Sequence, residues 1–130
     1  MKNKEKPIVL IVDDDQAVRA SLKFMLELEG LTVDVCASGD ELLLHPELTR
    51  ASCLLIDYKM PTMDGFEVIA HLKQRNIHVP MIMISSVVNN SLARRAANAG
   101  ICRLLEKPLV DDVLCDNIYQ ILSATPLYNK

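Results

Sequence analysis

The sequence alternates short strand-like runs with amphipathic stretches five times over, and this alternation constrains the fold more than any other feature. The runs are apolar or alternate in polarity, and they are too short to be helices. The predicted strands are Ile8–Val12, Thr32–Ala37, Cys53–Ile56, Met81–Ile84 and Cys102–Leu105. Because strands that alternate with helices pair in parallel, we predict an α/β fold with a doubly wound, five-stranded parallel sheet and helices on both faces.

The segments between these strands show the apolar spacing of helices. The predicted helices are Gln16–Glu29, Asp40–Leu44, Phe66–Arg75, Asn90–Ala99 and a last one with the apolar stripe Val110, Leu114, Ile118 and Ile121. Asp15 is placed to cap the first helix and Gly30 to end it. We expect a single domain at residues 1–124 and a tail or the start of a linker at residues 125–130.

Composition and charge disfavour several classes of function. The chain has 130 residues, half of them hydrophobic, a net charge of −3 and scattered basic residues, so we expect no direct nucleic-acid binding. No apolar run approaches the roughly 18 residues that span a membrane, and no signal-peptide core follows the N-terminus. We therefore expect a cytoplasmic protein without disulfides, with Cys36, Cys53 and Cys102 buried in strands.

Polar side chains follow four of the predicted strands. Asp13 and Asp14 follow the first strand, Asp57 follows the third, Ser85 the fourth and Lys107 the fifth. Open parallel sheets bind ligands beyond the carboxyl ends of their strands, so these five side chains converge if the four strands are neighbours. Singly, Asp13 and Asp14 could cap a helix, Asp57 and Lys107 could be turn residues, and Ser85 could be a polar residue at a strand end. Their joint occurrence is what indicates a functional site.

Three carboxylates in one pocket repel one another, and one of them would normally stay protonated. A divalent cation removes this cost, and Mg²⁺ suits one or two carboxylates together with a phosphate oxygen. A carboxylate beside such a cation can attack phosphorus and form an acyl phosphate, while a lysine offsets the charge of the transferred oxygens. Asp57 is the single carboxylate after a central strand, so it is the candidate nucleophile.

Four segments carry a resemblance to a known family. They are IVDDD, LLIDYKMPTMDGFEVI, MIMISS and LLEKPL, and the second is the most specific because Met-Pro and Asp-Gly follow Asp57 at a defined spacing. Across nearly its full length the chain resembles the receiver domains of bacterial two-component response regulators, most of all those of the nitrogen-fixation regulator type. The resemblance implies a flavodoxin-like sheet with strand order 2-1-3-4-5.

The resemblance also implies how the acidic residues work. Asp57 would accept a phosphoryl group from a sensor histidine kinase or a phosphotransfer protein. Asp14 and Asp57 would bind Mg²⁺ directly, together with the backbone carbonyl of Lys59, and Asp13 would help through water. The implied function is a signalling switch and not an enzyme, with only self-catalysed phosphoryl transfer and dephosphorylation.

Two further residues complete the implied site. Lys107 would hold a phosphoryl oxygen and form a cis bond with Pro108, and Ser85 would hydrogen-bond the phosphoryl group. One position departs from the family, because receivers usually carry Tyr or Phe where this chain has Leu104. This departure affects the position on which the usual coupling between the hydroxyl residue and a swinging aromatic ring depends.

The family also points to a homodimer surface on the fourth helix, fifth strand and fifth helix. Charged side chains of both signs occur there and would pair with a second copy across a two-fold axis. They are Arg94, Arg95 and Arg103 on one side and Asp111, Asp112 and Asp116 on the other.

Two other functions are alternatives. Haloacid-dehalogenase-type phosphatases also use a nucleophilic Asp after a strand, but they need a second acid two residues on, where this chain has Lys59. A degenerate receiver that acts only as a scaffold would lack part of the Asp, Ser and Lys set, which is intact here. The isolated glycines argue against a phosphate-binding glycine loop.

Overall fold

The computed structural model describes residues 7–124, with every side chain in that range except that of Asp111. The tail predicted at residues 125–130 lies outside the described residues. The strands are β1 (Ile8–Val12), β2 (Thr32–Cys36), β3 (Cys53–Asp57), β4 (Met81–Ser85) and β5 (Arg103–Glu106). The helices are α1 (Gln16–Leu28), α2 (Gly39–Leu43), α3 (Gly65–Gln74), α4 (Asn90–Asn98) and α5 (Asp111–Ala124), with a short 3-10 helix at Leu48–Arg50.

The strands form one parallel sheet in the order β2-β1-β3-β4-β5, so the predicted fold class and strand order are confirmed. β3 lies at the centre and every one of its residues is buried. This position explains its continuous apolar sequence, because a strand covered on both faces has no solvent side.

Alternate residues of the central strands project to opposite faces of the sheet, and each face has its own core. On one face, Leu54 and Ile56 pack in a cluster with residues of α2, α3 and α4. On the other face, Leu55 packs in a second cluster with residues of α1 and α5. Helices therefore cover both faces, and the carboxyl ends of the strands stay open at one edge.

The ends of α1 follow from its sequence as predicted. The Asp15 side chain accepts hydrogen bonds from the backbone N–H groups of Ala17 and Val18 at the start of the helix. Gly30 follows the helix with φ +92°, a conformation that glycine adopts without steric cost. Within residues 7–124, no helix is both long and apolar enough to cross a membrane.

The fifth strand and fifth helix correct the sequence analysis. Cys102 is exposed and precedes β5, whereas Cys36 and Cys53 are buried as expected. Val110 precedes α5 and is 61% exposed, so it does not belong to the buried stripe of Leu114, Ile118 and Ile121. The physical reason is that β5 is an edge strand with only partial cover, so its apolar pattern is weak.

Candidate functional site

The predicted polar residues meet at the carboxyl edge of the sheet. Asp13 directly follows β1, Asp57 is the last residue of β3, and Ser85 is the last residue of β4. β1 and β4 are the two neighbours of β3, so both residues flank Asp57. Lys107 follows β5 and its backbone N–H donates to the carbonyl of Ser85 at 2.8 Å, which brings it to the same edge.

Three carboxylates form an acidic cluster at this edge. One oxygen each from Asp13, Asp14 and Asp57 lie within 4.8 Å of one another. Asp13 is fully buried, Asp57 is 4% exposed, and Asp14 is open to solvent. One oxygen of Asp13, Oδ1, accepts a hydrogen bond from the backbone N–H of Asp15 at 2.9 Å. The other, Oδ2, is buried and lies against the ammonium of Lys107.

Lys107 is the cation that faces this cluster. Its Nζ lies 3.1 Å from Asp13 Oδ2 and 3.3 Å from Asp57 Oδ1. Partial burial acts to lower the pKa of Lys107, but the hydrogen bond and charge of Asp13, together with those of Asp57, outweigh burial and raise it. Lys107 therefore stays charged at the site. The bond between Lys107 and Pro108 is cis, as the resemblance implied.

One lysine does not neutralise the cluster. Burial, together with the charge of Asp13, raises the pKa of Asp57 to about 6, although Lys107 opposes the rise. A nucleophilic carboxylate must be ionised, and a nearby divalent cation favours the ionised form. Three clustered carboxylates that face a single lysine are the hard oxygen donors that fit Mg²⁺.

Ser85, at the end of β4, and Lys59, in the loop after β3, both lie near Asp57. Ser85 is buried, and its Oγ donates to the carbonyl of Val87 at 2.7 Å and accepts from the N–H of Val87 at 3.2 Å. Lys59 is exposed, and its ammonium lies 4.8 Å from the centre of the Tyr58 ring. A hydroxyl thus lies at the end of β4, and an exposed ammonium lies just beyond β3.

Comparison with known proteins agrees with this arrangement. A family profile described as "Response regulator receiver domain" matches residues 9–119. The chain belongs to this family. It is a response regulator receiver domain of phosphorylation-based two-component signalling, and the predicted family is confirmed. Family membership gives no support to the phosphatase or scaffold alternatives.

Relatives of known name support the same assignment. Transcriptional regulatory protein FixJ of Rhizobium meliloti (strain 1021) is 36% identical over 110 residues, 85% of this chain and 54% of that protein. Nodulation protein W of Bradyrhizobium diazoefficiens is 33% identical over 113 residues, 87% of this chain and 50% of that protein. The crystal structure of FixJ-N matches with a TM-score of 0.82 and 32% identity over 94% of this chain and 98% of that one. The receiver spans about half the length of the curated relatives it matches.

The receiver also contains a contact that no sequence pattern indicates. The guanidinium of Arg95 lies 4.0 Å from the centre of the Phe66 ring, and that ring meets Tyr58 edge to face at 5.3 Å. Arg95 therefore faces α3, and the prediction that it shares a surface with Arg103 is wrong. The sequence shows only an arginine on α4 and an aromatic residue at the start of α3, and this pair of residue types is not specific for a contact.

Gly65 was also missed as a residue of the site. A Cβ at this position would lie 2.9 Å from the backbone oxygen of Asp57 and 2.8 Å from Met83 Cε. The Asp-Gly pair indicated a turn, but the close approach of this turn to Asp57 depends on how the chain packs.

Proposed function

We propose that Asp57 is the residue on which this receiver is phosphorylated. A donor phosphohistidine would lose its P–N bond as an Asp57 oxygen bonds to phosphorus, and the released imidazole would take up a proton. The observation that carries the proposal is the position of Asp57, buried at the end of the central strand between Asp13 and Lys107. Family membership adds the donor class, because receivers accept phosphoryl groups from histidine kinases.

We propose that Mg²⁺ is the cofactor. Asp14 and Asp57 would be its direct carboxylate ligands, with the carbonyl of Lys59, and Asp13 would act through water. The acidic cluster and the raised pKa of Asp57 support this proposal. When bound, the cation supplies electrostatic stabilisation of the negative charge on the transferring oxygens.

Lys107 and Ser85 have proposed roles toward the phosphoryl group. Lys107 would contact a phosphoryl oxygen, since its ammonium already lies 3.3 Å from Asp57 Oδ1. Ser85 would exchange its contacts with Val87 for a hydrogen bond to the phosphoryl group. Such differential contacts are what shift a two-state equilibrium on phosphorylation.

Beyond the site, we propose that the receiver is a switch without turnover of an external substrate, and that α4, β5 and α5 form its dimer surface. Its partner would be a sensor histidine kinase or a phosphotransfer protein. The net charge of −3 supports the absence of direct nucleic-acid binding. We also propose that residues 1–124 form the receiver domain and that this domain acts in the cytoplasm.

The proposal is tested with phosphoramidate as a small phosphodonor in the presence of Mg²⁺. Mass spectrometry of the intact wild type should show the added mass of one phosphoryl group, and Asp57→Asn should show none. Asp15→Asn is the matched control, because Asn retains the helix cap and Asp15 lies outside the acidic cluster. An equal phosphorylated fraction in Asp57→Asn and wild type would exclude Asp57 as the acceptor.

A further inference from the structure

A pocket of about 340 Å³ lies beside the phospho-acceptor site. Its wall includes Lys59 from the loop after β3, Ser85 from the end of β4, and Arg95 from α4. Tyr58, which directly follows Asp57 in the chain, also lines it. The pocket therefore borders the site on the side of α4 and shares Ser85 with it.

The charge of this pocket is positive, in a chain whose net charge is −3. Lys59 and Arg95 are lining residues, and no Asp or Glu is among them. Within residues 7–124, neither cation forms an ion pair with a carboxylate of the chain. Both charges are thus available to an anionic group from outside.

The two cations are held by one aromatic pair. Arg95 stacks 4.0 Å from the Phe66 ring centre, and Lys59 lies 4.8 Å from the centre of Tyr58, which contacts Phe66. A guanidinium stacked on a ring keeps the N–H groups at its edge free to donate to a carboxylate. Stacking also fixes the side chain beforehand, so less conformational freedom is lost when an acceptor binds.

We propose that this pocket is the subsite for an acidic side chain that lies next to the phosphohistidine of the donor protein. The inference rests on the proposed function, because it needs Asp57 as the acceptor. The pocket has room for a side chain. The methylene groups of a Glu would contact Val87 and Leu92, and its carboxylate would bind Arg95 and Lys59. The pocket thereby selects donors by charge complementarity.

Synthetic phosphohistidine peptides test the proposal with the intact chain. Two peptides differ only in a Glu or a Gln beside the phosphohistidine, and phosphoramidate serves as a donor without a carrier. The receivers are wild type, Arg95→Gln, and Arg94→Gln as a matched control one residue away that does not line the pocket. Each peptide rate is divided by the rate of the same receiver with phosphoramidate, which corrects for any change at Asp57.

Wild type should react about two- to fivefold faster with the Glu peptide than with the Gln peptide, the size that an exposed ion pair supports. The preference should disappear in Arg95→Gln and persist in Arg94→Gln. It should also weaken as salt is raised, because exposed charges are screened.

Equal rates with both peptides in wild type would overturn the inference while leaving the function intact, provided that phosphoramidate phosphorylates Asp57. A preference that survives in Arg95→Gln and is lost in Arg94→Gln would also overturn it, since the contact would then lie on another face of α4. If phosphoramidate fails to phosphorylate Asp57 in wild type, the proposed function itself is wrong.

Discussion

Lys107 Nζ lies 3.3 Å from Asp57 Oδ1, so the proposed phospho-acceptor already has a cationic partner before any phosphoryl group arrives. The same ammonium lies 3.1 Å from Oδ2 of the buried Asp13. One cation therefore offsets two carboxylates, and the raised pKa of Asp57 indicates that the compensation is incomplete. Removing Lys107 should thus affect both folding stability and phosphoryl transfer.

Lys107→Met leaves Asp13 buried without its counter-charge. In Mg²⁺-free buffer at neutral pH, we expect the free energy of unfolding to fall by about 2 kcal/mol, less than for a fully buried pair because Lys107 is partly exposed. Phosphorylation of Asp57 by phosphoramidate should slow roughly tenfold or more. Urea denaturation and mass spectrometry measure the two effects, with Lys73→Met on the exposed side of α3 as control. A stability equal to that of the control would contradict the role of the ion pair.

Asp57 should make the stability of the metal-free protein depend on pH. Its pKa is about 6 in the folded protein against an ordinary value of 3.8, so folding takes up a proton between these values. Stability contributed in this way is present at low pH and is lost as pH rises through about 6. Asp57→Asn removes the buried charge and should therefore stabilise the metal-free protein at neutral pH.

The expected gain for Asp57→Asn at neutral pH is about 1 kcal/mol, because loss of the ion pair with Lys107 offsets part of the benefit of removing the buried charge. At about pH 4 the gain should vanish, because the wild-type carboxyl is then protonated in the folded state. Urea denaturation of both proteins at the two pH values measures this difference. A gain in stability of equal size at both pH values would show that the charge of Asp57 is not the cause of the gain.

Asp14 should matter more for Mg²⁺ affinity than for folding stability, because its side chain is exposed and belongs to the acidic cluster. Asp14→Ala should weaken Mg²⁺ binding by on the order of tenfold or more, as loss of a ligand carboxylate would. Thermal unfolding with increasing Mg²⁺ reports the affinity, since a ligand of the folded state raises the melting temperature. Asp15→Asn is the control that should respond as wild type does. An Asp14→Ala titration that overlays the wild-type curve would refute the assignment.

The central strands and their polar ends were predictable for a simple physical reason. β3 and β4 are buried along their whole length, so each is an apolar run that ends in a polar residue. A polar residue at the carboxyl end of such a strand indicates a ligand site. β5 was placed one residue too early, because an edge strand with partial cover has no such contrast. Val110 was wrongly assigned to the buried face of α5, because its apolar side chain continues the four-residue spacing of Leu114 and Ile118 although it precedes the helix.

Distances and side-chain contacts were not predictable from the sequence. The resemblance gave Asp13 a role toward Mg²⁺ through water, but it did not indicate that Asp13 is fully buried and in contact with Lys107. The contact of Arg95 with Phe66 joins two helices that are remote in sequence. Such features depend on how separate elements pack, and local residue patterns do not encode them.

Gly65 should be required for both stability and phosphorylation. A Cβ there would approach the Asp57 backbone oxygen to 2.9 Å, so Gly65→Ala must push the start of α3 away from the end of β3. We expect a loss of about 1–3 kcal/mol in the free energy of unfolding and slower phosphorylation by phosphoramidate. Gly30→Ala is the matched control, since Gly30 has open space around it but a positive φ. It should cost about 1 kcal/mol and leave the phosphorylation rate unchanged. Slower phosphorylation of Gly30→Ala than of Gly65→Ala would contradict the importance of the close approach at Gly65.

The surface of α4, β5 and α5 remains the expected dimer interface after Arg95 is removed from it. Arg103 is exposed and donates from Nε to Asn117 Oδ1 at 3.1 Å, which links β5 to α5. Asp112 and Asp116 are exposed on α5, so the surface still carries charges of both signs. A self-complementary patch of this kind pairs residue for residue across a two-fold axis.

Sedimentation with and without beryllofluoride, whose fluorides stand in for phosphoryl oxygens, should detect this dimer. We expect wild type with Mg²⁺ to shift from monomer to dimer when the mimic is added, because Ser85 leads into α4 and its rearrangement would move that helix. Arg103→Glu reverses one charge of the patch and should keep the protein monomeric, whereas Lys73→Glu on α3 should dimerise like wild type. The shift should weaken at high salt, since exposed charge pairs are screened. Wild type that stays monomeric with the mimic at high concentration would exclude dimerisation as the output, and the same surface would then have to act by docking to a different partner.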